Sequence, residues 1–337
     1  MEAQATLRRL LSGAMATHVL GVAADLGLAD TIGDGAGLGV IADAHGIPPE
    51  RMVRLLRAFA SLGCCFERAP RVYALTEVGS LLRKDDPGSL LDFAKLSTTP
   101  VTERPWLRLK DSLRTGRPAF EDVFGRPAFE YFADEPEQAA VFNAAMSQGT
   151  RDFAEAVPRY YDFGRYATIA DIGGGDGTLL AGILRGAPGS RGVLFDLEAG
   201  SAGAAENLGA AGVSERCDVV AGDFREAVPG GADLYVIKSA LHNWDDDHAA
   251  VILGNCRAAM NQGGRVLIAD PVLPDALSED ERLFDPYLMD LHMLVVVGGK
   301  ERTRSEFETV CARAGLAVTA ITPVPPTGLC LIEAEAR

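Results

Sequence analysis

Positive charge is what this chain most lacks. Its 32 Lys and Arg face 47 Asp and Glu, a formal net charge of -15 at pH 7. Such a balance repels phosphate backbones and anionic lipid, which excludes a general nucleic-acid binder and a basic membrane-surface protein. The deficit is uneven, because residues 1–100 carry 10 basic and 11 acidic side chains while the part after residue 149 carries 16 and 28. Cysteine is also scarce. The six thiols (Cys64, Cys65, Cys217, Cys256, Cys311, Cys330) include no C-x-x-C spacing, so neither a zinc knuckle nor a redox pair has support and they read as reduced core groups. No apolar run approaches the roughly 18 residues of a membrane span. The first residues, Met1 to Ala5, lack a basic stretch followed by an apolar one, so a cytoplasmic location is expected.

What is present is an ordinary globular composition, 47% hydrophobic and 23% charged over 337 residues, enough for more than one average domain. Up to residue 93 the pattern is short helices followed by a small β element. Residues 38–44 and 49–62 read as two helices around His45-Gly46-Ile47-Pro48, with Pro49 at a helix start, where its missing N–H is harmless. In the second, Met52, Val53, Leu55, Leu56, Phe59, Ala60 and Leu62 form an apolar stripe of helical period. Residues 64–67 and 71–75 read as short strands around Ala69-Pro70, and a helix from Thr76 carries Val78, Leu81 and Leu82. Helix, turn, helix and hairpin make a winged helix-turn-helix. Arg51, Arg54 and Arg57 raise the reading of a DNA-binding regulator, but the region lacks the basic footprint that role needs. The N-terminal Leu7, Leu10, Leu11, Met15, Val19, Leu20, Val22 and Leu26 cover too much circumference for a lone surface helix and point to a partner chain.

From about residue 166 the pattern becomes alternating strand and helix. Short β-rich runs at 167–172, 192–195, 217–221, 234–237 and 265–269 are separated by helix-length stretches, the signature of an α/β fold with a mostly parallel sheet. Residues 316–321 and 329–332 are joined by a turn too short for a crossover helix, so a C-terminal antiparallel hairpin is expected.

Asp171-Ile172-Gly173-Gly174-Gly175-Asp176-Gly177-Thr178 follows the first of these strands and opens a helix. Glycines there let the backbone turn sharply and approach a ligand. Thr178 or Leu180 stands where G-x-G-x-x-G needs its third glycine, and no G-K-[ST] makes a phosphate loop. The spacing Asp-x-Gly-x-Gly-x-Gly resembles instead the first motif of class I S-adenosylmethionine-dependent methyltransferases. Asp196, Asp223, His242 and Asp270 then mark successive strand ends, where ligands of open parallel sheets bind. Any one of the acids could simply cap the next helix. Together their chemistry suits that cofactor, with the glycine loop (Asp171, Gly173, Gly175, Gly177) at the methionine moiety. Asp196 can accept from both ribose hydroxyls, Asp223 from the adenine amine, Phe224 offers a π-face, and Lys238 can neutralise the methionine carboxylate.

Lys238-x-x-x-His242-Asn243-Trp244-Asp245-Asp246-Asp247, Ala269-Asp270-Pro271-Val272-Leu273-Pro274 and Gly298-Gly299-Lys300-Glu301-Arg302-Thr303 resemble, in order and spacing, the plant caffeic-acid-type O-methyltransferases and their bacterial small-molecule relatives. The resemblance extends to Phe142-Asn143-Ala144-Ala145-Met146 and the winged-helix region, so it covers almost the whole chain. It implies a mainly helical winged-helix dimerisation domain over 1–100 and a helical connector over 101–155 that contributes to the acceptor pocket. A Rossmann-like class I catalytic domain would follow over 156–337. It also implies a homodimer. His242 matches the family's general base, and Asp270 and Glu301 match the acidic pair that orients it. Asp270 replaces the glutamate common in plant members, and its shorter arm makes Glu301 the stronger candidate for orienter. Leu197 and Thr150 join the cofactor side, while Phe142, Met146, Asn243, Met289 and Met293 match the acceptor-pocket regions. Two plainer readings stay open: His242 capping a helix that begins near Asp245, and Glu301 paired with a neighbouring Arg.

The implied activity is S-adenosylmethionine-dependent methylation of a hydroxyl on an aromatic small molecule, leaving S-adenosylhomocysteine. The setting it suggests is bacterial natural-product biosynthesis, for example tailoring of a polyketide phenol. No distinctive acidic motif is placed for Mg²⁺, so metal-independent catalysis is expected. Relatives of the same fold that bind the cofactor but hydroxylate or decarboxylate supply the alternative.

Overall fold

The computed structural model describes residues 2–276, 284–325 and 327–337. The chain divides into two compact units. One comprises the residues up to Glu103 together with Ala140–Gly149, the other Arg104–Ala139 together with Thr150–Arg337, so the stretch expected as a connector is shared between them.

In the N-terminal unit, helices Glu2–Leu11 and Gly13–Leu26 are followed by Leu28–Ile32, Leu38–Ala44 and Pro49–Ser61. Strands β1 (Ala36–Gly37), β2 (Cys65–Ala69) and β3 (Val72–Leu75) form a small antiparallel sheet in the order β1-β3-β2. Leu28, Ile41, Met52, Leu56, Phe59 and Tyr73 build its core. Arg51, Arg54 and Arg57 occupy the opposite, exposed side of helix Pro49–Ser61. The expected helix after Thr76 is a single turn, Glu77–Ser80, capped by the Thr76 hydroxyl, which accepts from the Gly79 N–H at 3.1 Å. That turn lies so close to the preceding chain that a Cβ at Gly79 would sit 1.8 Å from the Cys64 carbonyl oxygen. On the first two helices Leu7, Leu11 and Met15 stand 58%, 75% and 66% exposed, an apolar surface without cover inside the protomer.

In the larger unit the strands are β4 (Thr168–Ile172), β5 (Arg191–Asp196), β6 (Cys217–Ala221), β7 (Leu234–Lys238), β8 (Arg265–Asp270), β11 (Leu316–Val324) and β12 (Leu329–Ala336). They form one sheet in the order β11-β12-β8-β7-β4-β5-β6. The strands from β8 to β6 run parallel, while β12 is antiparallel to β8 and to β11. Short strands β9 (Val272–Leu273) and β10 (Arg302–Thr303) pair separately. Strand β11 runs through Pro323 and ends at Val324, three residues past the expected end. It is an edge strand, where proline's missing N–H costs no ladder bond.

Both faces of the sheet are covered, which is why its strands read as continuous apolar runs. Along β7, Leu234 and Val236 join one core cluster while Tyr235 and Ile237 join the other. The same alternation sends Asp171, Asp196 and Lys238 toward one face of the sheet and Asp270 toward the other. From β4 the sheet grows in both directions, to β5 and β6 on one side and to β7 and β8 on the other. Such a reversal opens a crevice at the carboxyl ends, and the chemistry-bearing residues collect there.

Gly79→Ala tests the close approach of Glu77–Ser80 to Cys64. Backbone, unlike a side-chain tip, cannot rotate aside, so the N-terminal unit should lose about 3 kcal/mol or more. Thermal unfolding should register a lower midpoint. A variant that melts with the parent would show that the turn moves away freely.

Candidate active site

The glycine loop leaves β4 with Gly173, Gly175 and Gly177 at φ 72°, 57° and 80°, a region L side chains rarely adopt. Its backbone is tied to the next strand: Gly173 N–H donates to Phe195 O at 2.8 Å, and Gly175 N–H donates to Asp196 Oδ2 at 2.8 Å. Asp196 Oδ1 accepts from Leu197 N–H at 2.7 Å. The carboxylate expected to take ribose hydroxyls therefore also braces the loop, with a lone pair left on each oxygen. Leu197 itself is exposed.

Below the loop, Asp171 is buried, and its Oδ2 has no hydrogen-bond partner among the described residues. Burial, reinforced by Asp196 and opposed by Lys238, pushes its pKa up to about 7. Lys238 Nζ donates to Thr150 Oγ1 at 3.0 Å, which brings two expected cofactor residues together from positions far apart in sequence. Burial lowers the Lys238 pKa, against the pull of Asp270 and Asp171. Phe224 lies beside the loop, 3.5 Å from where a Gly173 Cβ would stand. Asp223 is occupied otherwise than expected. Arg225 grips both of its oxygens at 2.6–3.0 Å and donates its own N–H at 2.8 Å, which holds Asp223 below the ordinary carboxylate range. Arg225 also covers Trp244, 4.8 Å from the ring centre, and Trp244 meets Phe224 edge-on.

His242 sits in the short turn Leu241–Asn243 after β7, and its Nδ1 lies 2.8 Å from Glu301 Oε1. Burial opposes charge on the imidazole, but Asp270 and the bond to Glu301 outweigh it, so the His242 pKa is raised. Asp270, fully buried at the end of β8, has no partner for either carboxylate oxygen among the described residues. Burial and the nearby Glu301 carry its pKa up to about 6, against His242, Arg302 and Lys238. Both plainer readings fail on this geometry. Asp245, not His242, caps helix Asp246–Ala259 by accepting from His248 N–H at 2.9 Å, and Glu301 faces the histidine, not an arginine.

Several residues without an assigned role in the sequence reading hold this pair together. Lys300 N–H donates to His242 O at 2.9 Å, and a Cβ at Gly299 would fall 2.0 Å from that same oxygen. Arg302, almost wholly buried, donates to Leu241 O at 3.4 Å, Trp244 O at 2.8 Å and Asp246 Oδ1 at 2.9 Å. Asp290 Oδ1 accepts from Glu301 N–H at 2.9 Å. The Gly-Gly-Lys-Glu-Arg run marks the neighbourhood of these contacts, but its spacing does not say which carbonyls they clasp. Met289 and Met293 lie one turn apart on helix Phe284–Val296, Met293 buried, and Asn243 adjoins His242. Phe142 and Met146 lie on helix Pro136–Ala156, in the stretch that belongs to the N-terminal unit, with Met146 exposed.

The glycine cradle, the unpartnered Asp171 oxygen and the desolvated Lys238 ammonium fit a zwitterionic amino-acid moiety with an added positive charge, as S-adenosylmethionine carries. Asp196 suits its ribose. A family model described as an O-methyltransferase domain matches residues 106–317, and one described as an O-methyltransferase dimerisation domain matches residues 8–85. The chain is 40% identical over 336 residues to an O-demethylpuromycin-O-methyltransferase of Streptomyces alboniger, spanning 98% of this chain and 89% of that one. Against a phenazine O-methyltransferase of Lysobacter antibioticus the identity is 39% over 330 residues, spanning 98% and 95%. A solved O-methyltransferase from neocarzinostatin biosynthesis, in complex with S-adenosylmethionine and 2-hydroxy-5-methyl naphthoic acid, matches with TM-score 0.80 and 32% identity over 95% of this chain and 96% of that one.

Asp196→Ala should weaken binding of S-adenosylhomocysteine about tenfold or more, since charge-assisted bonds are lost and the loop brace goes with them. Calorimetry on the folded variant measures this. Unchanged affinity would remove Asp196 from the cofactor site.

Proposed function

The chain belongs to the family of S-adenosylmethionine-dependent O-methyltransferases, and on that footing we propose that it methylates a hydroxyl of an aromatic small molecule in bacterial natural-product biosynthesis, with His242 as the base. The observation that carries the reading is the buried His242–Glu301 pair, 2.8 Å apart, in the turn that follows β7, the strand paired with the one that leads into the glycine loop. A phenol has a pKa of about 10, so at neutral pH it needs help to become a nucleophile.

With Nδ1–H donated to Glu301, the lone pair of His242 is on Nε2. That nitrogen takes the hydroxyl proton as the oxygen attacks. Glu301 holds the ring in this tautomer, and the Asp270 and Glu301 carboxylates favour the imidazolium that results. When bound, the cofactor supplies a methyl group made electrophilic by a sulfonium sulfur. The glycine loop, Asp171, Asp196, Lys238 and Thr150 would hold it. The thioethers of Met289 and Met293 suit the flat face of an aromatic ring.

The match of residues 8–85 to a dimerisation domain, and the apolar surface at Leu7, Leu11 and Met15, support a homodimer built through the N-terminal helices. Light scattering should give twice the chain mass at micromolar concentration. A monomer there would defeat this assembly.

His242→Ala should lower single-turnover methyl transfer about 10² to 10⁴-fold with cofactor affinity little changed. The pH profile carries the sharper test. Because the His242 pKa is raised, the parent should lose rate on acidification through a limb lying above the ordinary histidine range. Glu301→Gln removes one of the charges that raise it, so that limb should move to lower pH. In His242→Ala the limb should vanish, and the rate should climb with pH as the phenol ionises by itself. Superimposable parent and His242→Ala profiles would exclude His242 as the base.

A further inference from the structure

Trp106 and His292 form a pair that the mechanism above does not use. The indole Nε1–H donates to His292 Nδ1 at 3.0 Å, and the rings stack at 19° with centroids 6.2 Å apart. An indole N–H can only donate, so His292 Nδ1 must carry a lone pair. A neutral imidazole with Nδ1 as acceptor has its proton on Nε2. Trp106 thus sets the tautomer of His292 as Glu301 sets that of His242, but in the opposite sense. Among the described residues the bond to Trp106 is the only one given for the His292 side chain, so its Nε2–H has no protein acceptor there. Burial, helped by the nearby His242, drives the His292 pKa down to about 4 and keeps the ring neutral near physiological pH.

The position of His292 gives this donor a use. It lies on helix Phe284–Val296 three residues after Met289 and next to Met293, on the face that these methionines share by helical spacing. The same helix supplies Asp290, which fixes the backbone of Glu301. A partly buried donor beside the base and the ring-binding methionines leaves a polar group to be satisfied whenever an acceptor molecule displaces water. Resting on the reading of the site as one for aryl methyl transfer, we infer that His292 is a specificity-determining residue whose Nε2–H binds a neutral carbonyl oxygen of the acceptor. Hydroxyarenes of the quinone or aryl-ketone class are then taken in preference to plain phenols. A carboxylate fits worse, because a neutral ring brings no compensating charge and Asp270 and Glu301 already place acidic groups in this region.

The test compares a hydroxyanthraquinone with the hydroxyanthracene of the same substitution, by calorimetry on the full chain saturated with S-adenosylhomocysteine. The parent should bind the quinone about tenfold more tightly or better. His292→Leu should bring that ratio close to unity, and His292→Gln, whose amide N–H reaches near the Nε2 position, should restore part of it. Trp106→Phe should lower the ratio partially, and nitrogen NMR should show His292 losing its single tautomer. A ratio that is the same in the parent and in His292→Leu, or a parent without preference, overturns the inference. Transfer of labelled methyl to the same two compounds separates the two claims. Label transfer with no change of ratio defeats the donor and leaves the reaction standing, whereas an intact ratio without label transfer defeats the reaction and leaves the donor.

Discussion

The bond between His242 and Glu301 joins residues 59 positions apart, and the surrounding structure is arranged to keep it. Proton transfer in a transition state needs heavy atoms within about 3 Å, which a base on a free turn would not maintain. Here the turn is held through its own backbone. Lys300 N–H takes the His242 carbonyl, and the absence of a side chain at Gly299 lets the two strands of chain come that close. Arg302 clasps the carbonyls on either side, Leu241 and Trp244. Taking a guanidinium out of water is costly, and its bonds to two carbonyls and Asp246 offset that cost. Removing any one partner would leave buried charge or dipole unmatched.

Electrostatics explain why this crevice can carry unsatisfied acids. Asp171 and Asp270 are both buried and both retain oxygens without partners among the described residues. A structural core would select against such groups, because desolvation of a carboxylate is not returned unless something binds it. The raised pKa of each is the local sign of that stress. Lys238, held beside Thr150, is the cation that feels both. A site of this kind gains from a ligand that brings positive charge and hydrogen-bond donors, which is the chemistry of a sulfonium-bearing amino acid. Of the two acids, Asp270 also acts on the base: together with Glu301 it raises the proton affinity of His242.

Much of this is legible in the sequence. The run Asp171 to Thr178 carries its own geometry, because glycine adopts without steric cost the positive φ values of Gly173, Gly175 and Gly177, which side-chain-bearing residues reach only rarely. The strand runs were legible because a sheet covered on both faces needs uninterrupted apolar segments, and their polar ends mark where the sheet stops. Local rules were weaker guides to extent. Strand β11 passes through Pro323 because its position in the sheet, unknown from sequence, is at the edge. The helix after Thr76 is one turn long, and at Gly79 it is pressed against Cys64, a contact that local periodicity does not reveal.

The sequence by itself determined the class of fold, the order of its motifs and the kinds of side chain available at each strand end. Those depend on backbone conformation and on period, which are properties of neighbouring residues. Only the tertiary structure decided the pairings. Glu301 meets His242 and not an arginine, and Thr150 rests on Lys238. Trp106 selects the tautomer of a histidine that no motif singled out. Hydrogen bonds form or fail within a few tenths of an ångström, and at separations of 59 to 186 residues that distance is set by the packing of the helices and strands between them.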